Sequence, residues 1–160
     1  MSAGGYREID ADDYRVLHPR PAYLVVARKP DGGLNVMAAA WVMPVSEEPP
    51  MVVLSLDSES YTSELLSENG ELTINVVGEE HLEMVWGAGS VSGRSVDKWS
   101  KLGLKPLPSK VIGVPGVKGA YGVLECVVKE KKSVGECVLF ICEVKAARVR
   151  EDLYTGMGGI

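Results

Sequence analysis

The chain has 160 residues, 46 % of them apolar and 24 % charged, which is the length of one ordinary domain with enough apolar surface for a core that needs no disulfide or structural metal. Its net charge of −5 argues against a nucleic-acid binder, which would normally show a basic face, and no uninterrupted apolar run approaches the length of a membrane-spanning helix. The opening residues, MSAGGYREIDADDY, lack a basic stretch followed by an apolar one, so no secretory signal is expected. Cys126, Cys137 and Cys142 are odd in number and without metal-ligand spacing. They read as small buried hydrophobes in a reducing cytoplasm.

In chain order, residues 1–15 are expected to form an N-terminal arm on a single domain spanning 1–160. Most apolar runs that follow are short, rich in Val, Ile and Leu, and bounded by Gly, Pro and Asp, which is the signature of strands. Ala22 to Arg28 is the first. The Pro30-Asp31-Gly32-Gly33 turn then leads into a second strand, Leu34 to Val42, paired with the first as a hairpin. Pro44, Pro49 and Pro50 break the chain before a third strand, Met51 to Leu56. A short helix over residues 60–67 is capped by Ser60 or Thr62 and stopped by Gly70. Glu71 to Val77 is a fourth strand, and Glu79 to Trp86 a second short helix with acidic residues in its first turn.

Gly87 to Gly93 is rich in Gly and Ser and reads as loop. Two long strands close the chain, Ala120 to Lys131 and Glu136 to Arg150, turning at Ser133–Gly135. Roughly six strands, two or three short helices and no βαβ alternation predict a mainly β fold, an antiparallel barrel or β-rich α+β domain. The Gly-rich dinucleotide fingerprint is missing, so any nicotinamide would bind by other means.

Side-chain constellations for catalysis are sparse. His18 and His81 have no second ligand at metal spacing, and no G-x-S-x-G elbow is present. His81 reads as a surface residue of its helix. That scarcity points toward a bound cofactor that carries the chemistry. One stretch suits an anion: Leu56-Asp57-Ser58-Glu59-Ser60-Tyr61-Thr62 leaves a strand and opens a helix, placing hydroxyls and unpaired amides at a helix N-terminus. The competing reading is that Ser60 only caps the helix. Asp57 and Glu59 must point outward if a phosphate binds there.

Three segments together resemble the flavin reductase-like proteins. Asn35 to Pro50 (NVMAAAWVMPVSEEPP) is similar to the family's N-x-x-x-x-S-x-x-x-x-V-S-x-x-P-P stretch along the flavin. Leu56 to Leu66, with Glu68-Asn69-Gly70 and Ile74-Asn75-Val76, resembles its strand, Ser/Thr turn, short helix and following strand. Trp86 to Trp99, containing Ser92-Gly93-Arg94 and Asp97-Lys98-Trp99, resembles its "SGR…DK-aromatic" loop. The likeness extends to archaeal ferric reductase-like proteins and to small reductase components of two-component monooxygenases.

The resemblance implies an FMN-binding split β-barrel, a homodimer with FMN near the interface, and NAD(P)H as hydride donor to flavin. The electrons would pass to a monooxygenase or to ferric iron. An FMN-holding electron carrier not efficiently reduced by nicotinamide is the alternative. It further implies that Ala38, Ala39, Ala40, Trp41, Val42, Met43, Val45 and Ser46 wall the ring. Leu56, Asp57, Ser58, Ser60, Tyr61 and Thr62 would surround the phosphate, Arg94 or Lys98 would supply positive charge, and Asn75 would reach the ribityl chain or ring edge. For Asn75 a purely structural role is the competing reading, and for Trp86 and Trp99 flavin contact and a core or interface role are equally open. Two departures stand out. Ala39 and Ala40 replace hydroxyl residues of many relatives, and the tail Leu153–Ile160 resembles the start of a longer one.

Overall fold

Residues 4–153 are described by a computed structural model, whose principal element is a seven-stranded antiparallel sheet. The strands are β1 (Tyr23–Arg28), β2 (Leu34–Ala39), β3 (Val42–Ser46), β4 (Met51–Asp57), β5 (Glu71–Val76), β8 (Gly122–Val134) and β9 (Cys137–Val149). They lie in the order β2-β1-β5-β8-β9-β4-β3. The two edge strands, β2 and β3, are consecutive in the chain and joined only by Ala40–Trp41. Such a link spans at most roughly 11 Å from Ala39 to Val42, so the sheet must curl until its edges nearly meet. The result is a barrel split between β2 and β3.

Alternation along β1 explains the layers. Val25 and Ala27 face the barrel interior with Leu54, Leu72 and Phe140, while Leu24 and Val26 face outward with Val36 and Val123. Helix α1 (Tyr61–Glu68) inserts Leu65 and Leu66 into the interior. The outer face is covered by α2 (Leu82–Ser90), α3 (Lys98–Lys101) and the segment from Leu104 to Ala120, which carries the two-residue strands β6 (Pro106–Leu107) and β7 (Gly116–Val117). Cys126 and Cys142 are buried in the interior, where burial pushes both thiols up, Cys142 to about 12. No described helix is long and apolar enough to cross a membrane.

Several expectations need correction. The second strand ends at Ala39 rather than Val42, and Pro44 sits inside β3, paired with Val52. An edge strand tolerates proline because one row of its amides needs no partner. The stretch expected to loop from Gly87 instead stays helical to Ser90. Glycine weakens a helix by about 1 kcal/mol per residue, but here Gly87 lets Leu102 pack close against α2. A Cβ at Gly87 would overlap Leu102 Cδ2, and one at Gly89 would already touch Ala38 at 3.4 Å. The expected helix from Glu79 begins as a 3-10 turn, Glu79–His81. The final hairpin turns at Gly135–Glu136, with Gly135 at φ 56°. His81 is buried, not on the surface: its Nδ1 accepts from the Gly78 amide at 3.1 Å and its Nε2 lies 3.0 Å from the Gly119 carbonyl. Helix α1 ends on Asn69 as its C-cap, one residue before Gly70. The tail resemblance over residues 154–160 lies outside the described residues.

Candidate functional site

Where β2 forms the open edge of the barrel, a cleft of about 340 Å³ runs between that strand, the start of α1, and the end of α2 with its following loop. Strand β2 contributes Asn35, Met37 and Ala38, helix α1 contributes Ser60, Tyr61 and Thr62, and the far wall is Ala88 to Gly93 with Lys98.

The α1 end of the cleft follows from the local sequence. Asp57 ends β4 and turns its carboxylate back to accept the Glu59 amide at 2.8 Å. The Ser60 amide donates to the Asp57 carbonyl at 3.0 Å, and Ser60 Oγ accepts from the Ser63 amide at 3.1 Å, capping α1. Ser63 Oγ fastens the same turn through the Asp57 carbonyl at 2.6 Å. The amides of Tyr61 and Thr62 have no acceptor among the described residues. Unpaired amides at the positive end of a helix attract an anion. Asp57 and Glu59 are exposed and outside the cleft lining, as a phosphate there requires.

Opposite lies Lys98, 5 % exposed, whose Nζ donates to the Ala88 carbonyl at 2.9 Å. Asp97 caps α3 through the Ser100 amide and so fixes the lysine at the helix start. Burial holds the Lys98 ammonium below the ordinary lysine range, and the nearby Lys29 charge adds to the effect. Between them sits Asn35, 2 % exposed, with Nδ2 donating to Thr62 Oγ1 at 3.0 Å and Oδ1 without a partner. Gly93 closes this corner: a Cβ there would overlap Asn35 Oδ1 and stand 3.3 Å from Lys98 Cε. A buried acceptor left unpaired is costly in a finished fold, and this one lines the cleft.

Of the residues that the sequence pointed to, Ala38, Ser60, Tyr61, Thr62 and Lys98 come together here. Ser58 is exposed on the turn. Ala40 lies in the β2–β3 link, its carbonyl accepting from Arg20 Nε at 3.3 Å. Trp41, Met43 and Val45 are exposed along the β3 edge with Ser46 half-buried, and Tyr14 stacks edge-on against Trp41 at 5.0 Å.

The others serve the fold. Ala39 and Leu56 are in the barrel interior, and Val42 packs against it. Asn75 is fully buried, with Nδ2 donating to the Leu24 carbonyl and Thr73 Oγ1 and Oδ1 accepting from the Val117 amide. It therefore has no contact to offer the cleft. Arg94 turns away to pair with Glu64 and cover the Tyr61 ring. Asn35, Met37 and the backbone from Ala88 to Gly93 were not singled out from sequence, although Asn35 heads the first motif and Gly93 stands in the third. Trp99 packs on the outer core, whereas Trp86 is 76 % exposed.

Comparison with known proteins agrees with this architecture. A family model described as a flavin reductase like domain matches residues 15–157. An uncharacterised protein of Pyrococcus abyssi is 36 % identical over 145 residues, covering 91 % of this chain and 83 % of the relative. The reductase component of 4-hydroxyphenylacetate 3-monooxygenase from Klebsiella oxytoca is 26 % identical over 125 residues, 78 % of this chain and 72 % of its own. Among solved structures, an FMN-binding protein from Thermus thermophilus with bound p-hydroxybenzaldehyde superposes with a TM-score of 0.81 at 26 % identity, covering 93 % of this chain and 83 % of that one. With its split barrel and a family match over nearly its whole length, this chain belongs to the flavin reductase-like family.

Proposed function

We propose that the chain binds FMN in the β2–α1–α2 cleft and works as an NAD(P)H-dependent flavin oxidoreductase, as a homodimer in the cytoplasm. The observation that carries this reading is the convergence on one cleft of two unpaired amides, a buried lysine and an unpartnered buried asparagine oxygen. These fit the polar half of FMN. The Tyr61 and Thr62 amides suit the phosphate, Lys98 supplies the charge that hydroxyls lack, and Asn35 Oδ1 wants a donor such as a ribityl hydroxyl. The Ala40–Ser46 stretch offers the ring an apolar wall at the barrel's split.

FMN held here would supply the redox chemistry, with NAD(P)H as hydride donor and a monooxygenase component or ferric iron as the further acceptor. The chain's part is to hold and shield the cofactor. Among the described residues, Lys98 is the one charged side chain lining the cleft. It is committed to the Ala88 carbonyl and suited to neutralising an anion. The Klebsiella reductase component supports a monooxygenase as acceptor. Exposed Trp41, Met43 and Val45 support a second copy of the chain closing over the ring wall.

Anaerobic addition of NADH or NADPH to the FMN-loaded protein tests the reading. Bleaching of the bound flavin within seconds by either donor is expected. A flavin that stays oxidised with both would make the chain an electron carrier that holds FMN without taking hydride.

A further inference from the structure

Residues 4–12 are exposed throughout, Tyr6 at 87 % and Ile9 at 50 %, and they join no strand or helix. Among the described residues, the hydrogen bonds of residues 4–13 all run between Asp10 and Val16. This arm carries Glu8, Asp10, Asp12 and Asp13 against one base, Arg7, and it precedes the domain shared with the family, which begins at residue 15. A single copy gives Tyr6 and Ile9 nothing to pack on. A complementary edge lies across the sheet. Strand β5 pairs with β8 only as far as Val127, so from Lys129 to Val134 β8 has β9 on one side and no described strand on the other. Alternate residues there turn amides and carbonyls to an open edge. Lys131 and Lys132 are exposed and in no ion pair among the described residues, Lys129 is paired with Glu143, and Glu130 is the one acid of the stretch. Lysines on an edge discourage indiscriminate strand pairing and select for an acidic strand.

Arm and edge stand at opposite ends of one row. Tyr14, at the base of the arm, stacks on Trp41, and the Trp41 carbonyl accepts from the Ser55 amide. Ser55 pairs with Leu139, and Leu139 with Lys132. At about 4.8 Å between strands, the row from Trp41 to Lys132 is roughly 14 Å long. Between its ends Val53, Leu139 and Ile141 are half-buried and belong to neither core. A surface with an element at one end and its complement at the other is self-complementary. A two-fold axis along the strands brings each copy's arm to the other's edge. We propose that the acidic arm, residues 6–13, docks on the open β8 edge of a second copy, adding an extended segment to the sheet against Lys131 and Lys132. The inference rests on the homodimer of the proposed function.

The test uses an arm reversal, Glu8→Lys with Asp10→Lys, and an edge reversal, Lys131→Glu with Lys132→Glu. Dimer dissociation constants would be measured by sedimentation velocity at low salt for the wild type, for each variant alone, and for the two variants mixed. Each variant alone should dimerise about tenfold or more weakly than the wild type, because both contacts then set like charges together. The equimolar mixture should return to within about threefold of the wild type, because in the mixed dimer each arm meets an edge of opposite sign. A misfolded variant, or an arm lying on its own copy's edge, gives no such recovery. Unchanged dimerisation of either variant, or a mixture no tighter than its components, overturns the contact and leaves the dimer standing. A wild type that stays monomeric at every concentration overturns the contact and the homodimer together.

Discussion

A methyl group at Gly93 would collide with Asn35 Oδ1 and press on Lys98 Cε, so one hydrogen atom separates a workable cleft from a blocked one. Gly93→Ala should lower stability by about 1–3 kcal/mol, the usual cost of overpacking, and weaken FMN binding at least tenfold. Denaturant melts and flavin titration check the two effects separately. Lys98 makes a second prediction at this scale. Burial lowers its proton affinity in the free protein, and a bound phosphate dianion would raise it again. FMN should therefore bind best while Lys98 is charged, and more weakly as pH rises through a range below the ordinary lysine value of about 10.4. Titrations across that range should show the decline in the wild type and a flatter profile in Lys98→Met.

The residue scale also shows what the sequence could and could not tell. Ser60, Tyr61 and Thr62 were legible because a helix start after a strand is a local event. The two asparagines were not. Both lie in apolar strands, and only sheet order separates them: Asn75 is on β5, between β1 and β8, where β-strand partners and Val117 consume its amide, while Asn35 is on the open edge. Arg94 and Lys98 are four residues apart, and the helix cap at Asp97 sends one inward while Glu64 draws the other out.

Among the elements, the segment between α3 and β8 was the least legible, since strands of two residues fall below any periodicity. Carboxylates hold it in place. Glu125, wholly buried, accepts the amides of Lys110, Val111 and Ile112, and Glu71 accepts that of Gly113. Burial pulls the Glu125 carboxyl toward neutrality, but the three amides and Arg148 outweigh it and keep it below the usual glutamate range. A carboxylate with a lowered folded-state value stabilises the fold above its unfolded value of about 4.3, and that contribution is lost as pH falls through the folded-state value. Glu125→Gln should cost about 1–3 kcal/mol at neutral pH, and should lessen the acid sensitivity of hydrogen exchange in residues 108–117. Helix α2 carries the converse lesson. Its glycines read as loop because their propensity is poor, yet they are the contact points with Leu102 and Ala38.

At the scale of the whole molecule, the seven-strand order was beyond reach of the sequence, although β1, β4, β5 and β9 were placed within two residues and β3 was missed. The barrel's split arises from a two-residue link that the sequence joined into one long strand, because nothing in Ala38 to Val42 marks a break. That split leaves Trp41, Met43 and Val45 on an open edge. The chain should sediment as a dimer, and Val45→Lys should shift it toward monomer while weakening FMN binding, because a charge on an apolar interface loses its solvation. Sedimentation velocity with and without FMN reads both effects.

The most direct test of the cleft is a paired titration of the purified protein with FMN and riboflavin, followed by flavin fluorescence. FMN should bind with riboflavin weaker by about two orders of magnitude, as expected when a phosphate loses several charge-assisted hydrogen bonds. Equal affinity for the two, or no binding of FMN, would contradict the assignment of the α1 amides and Lys98 to a flavin phosphate.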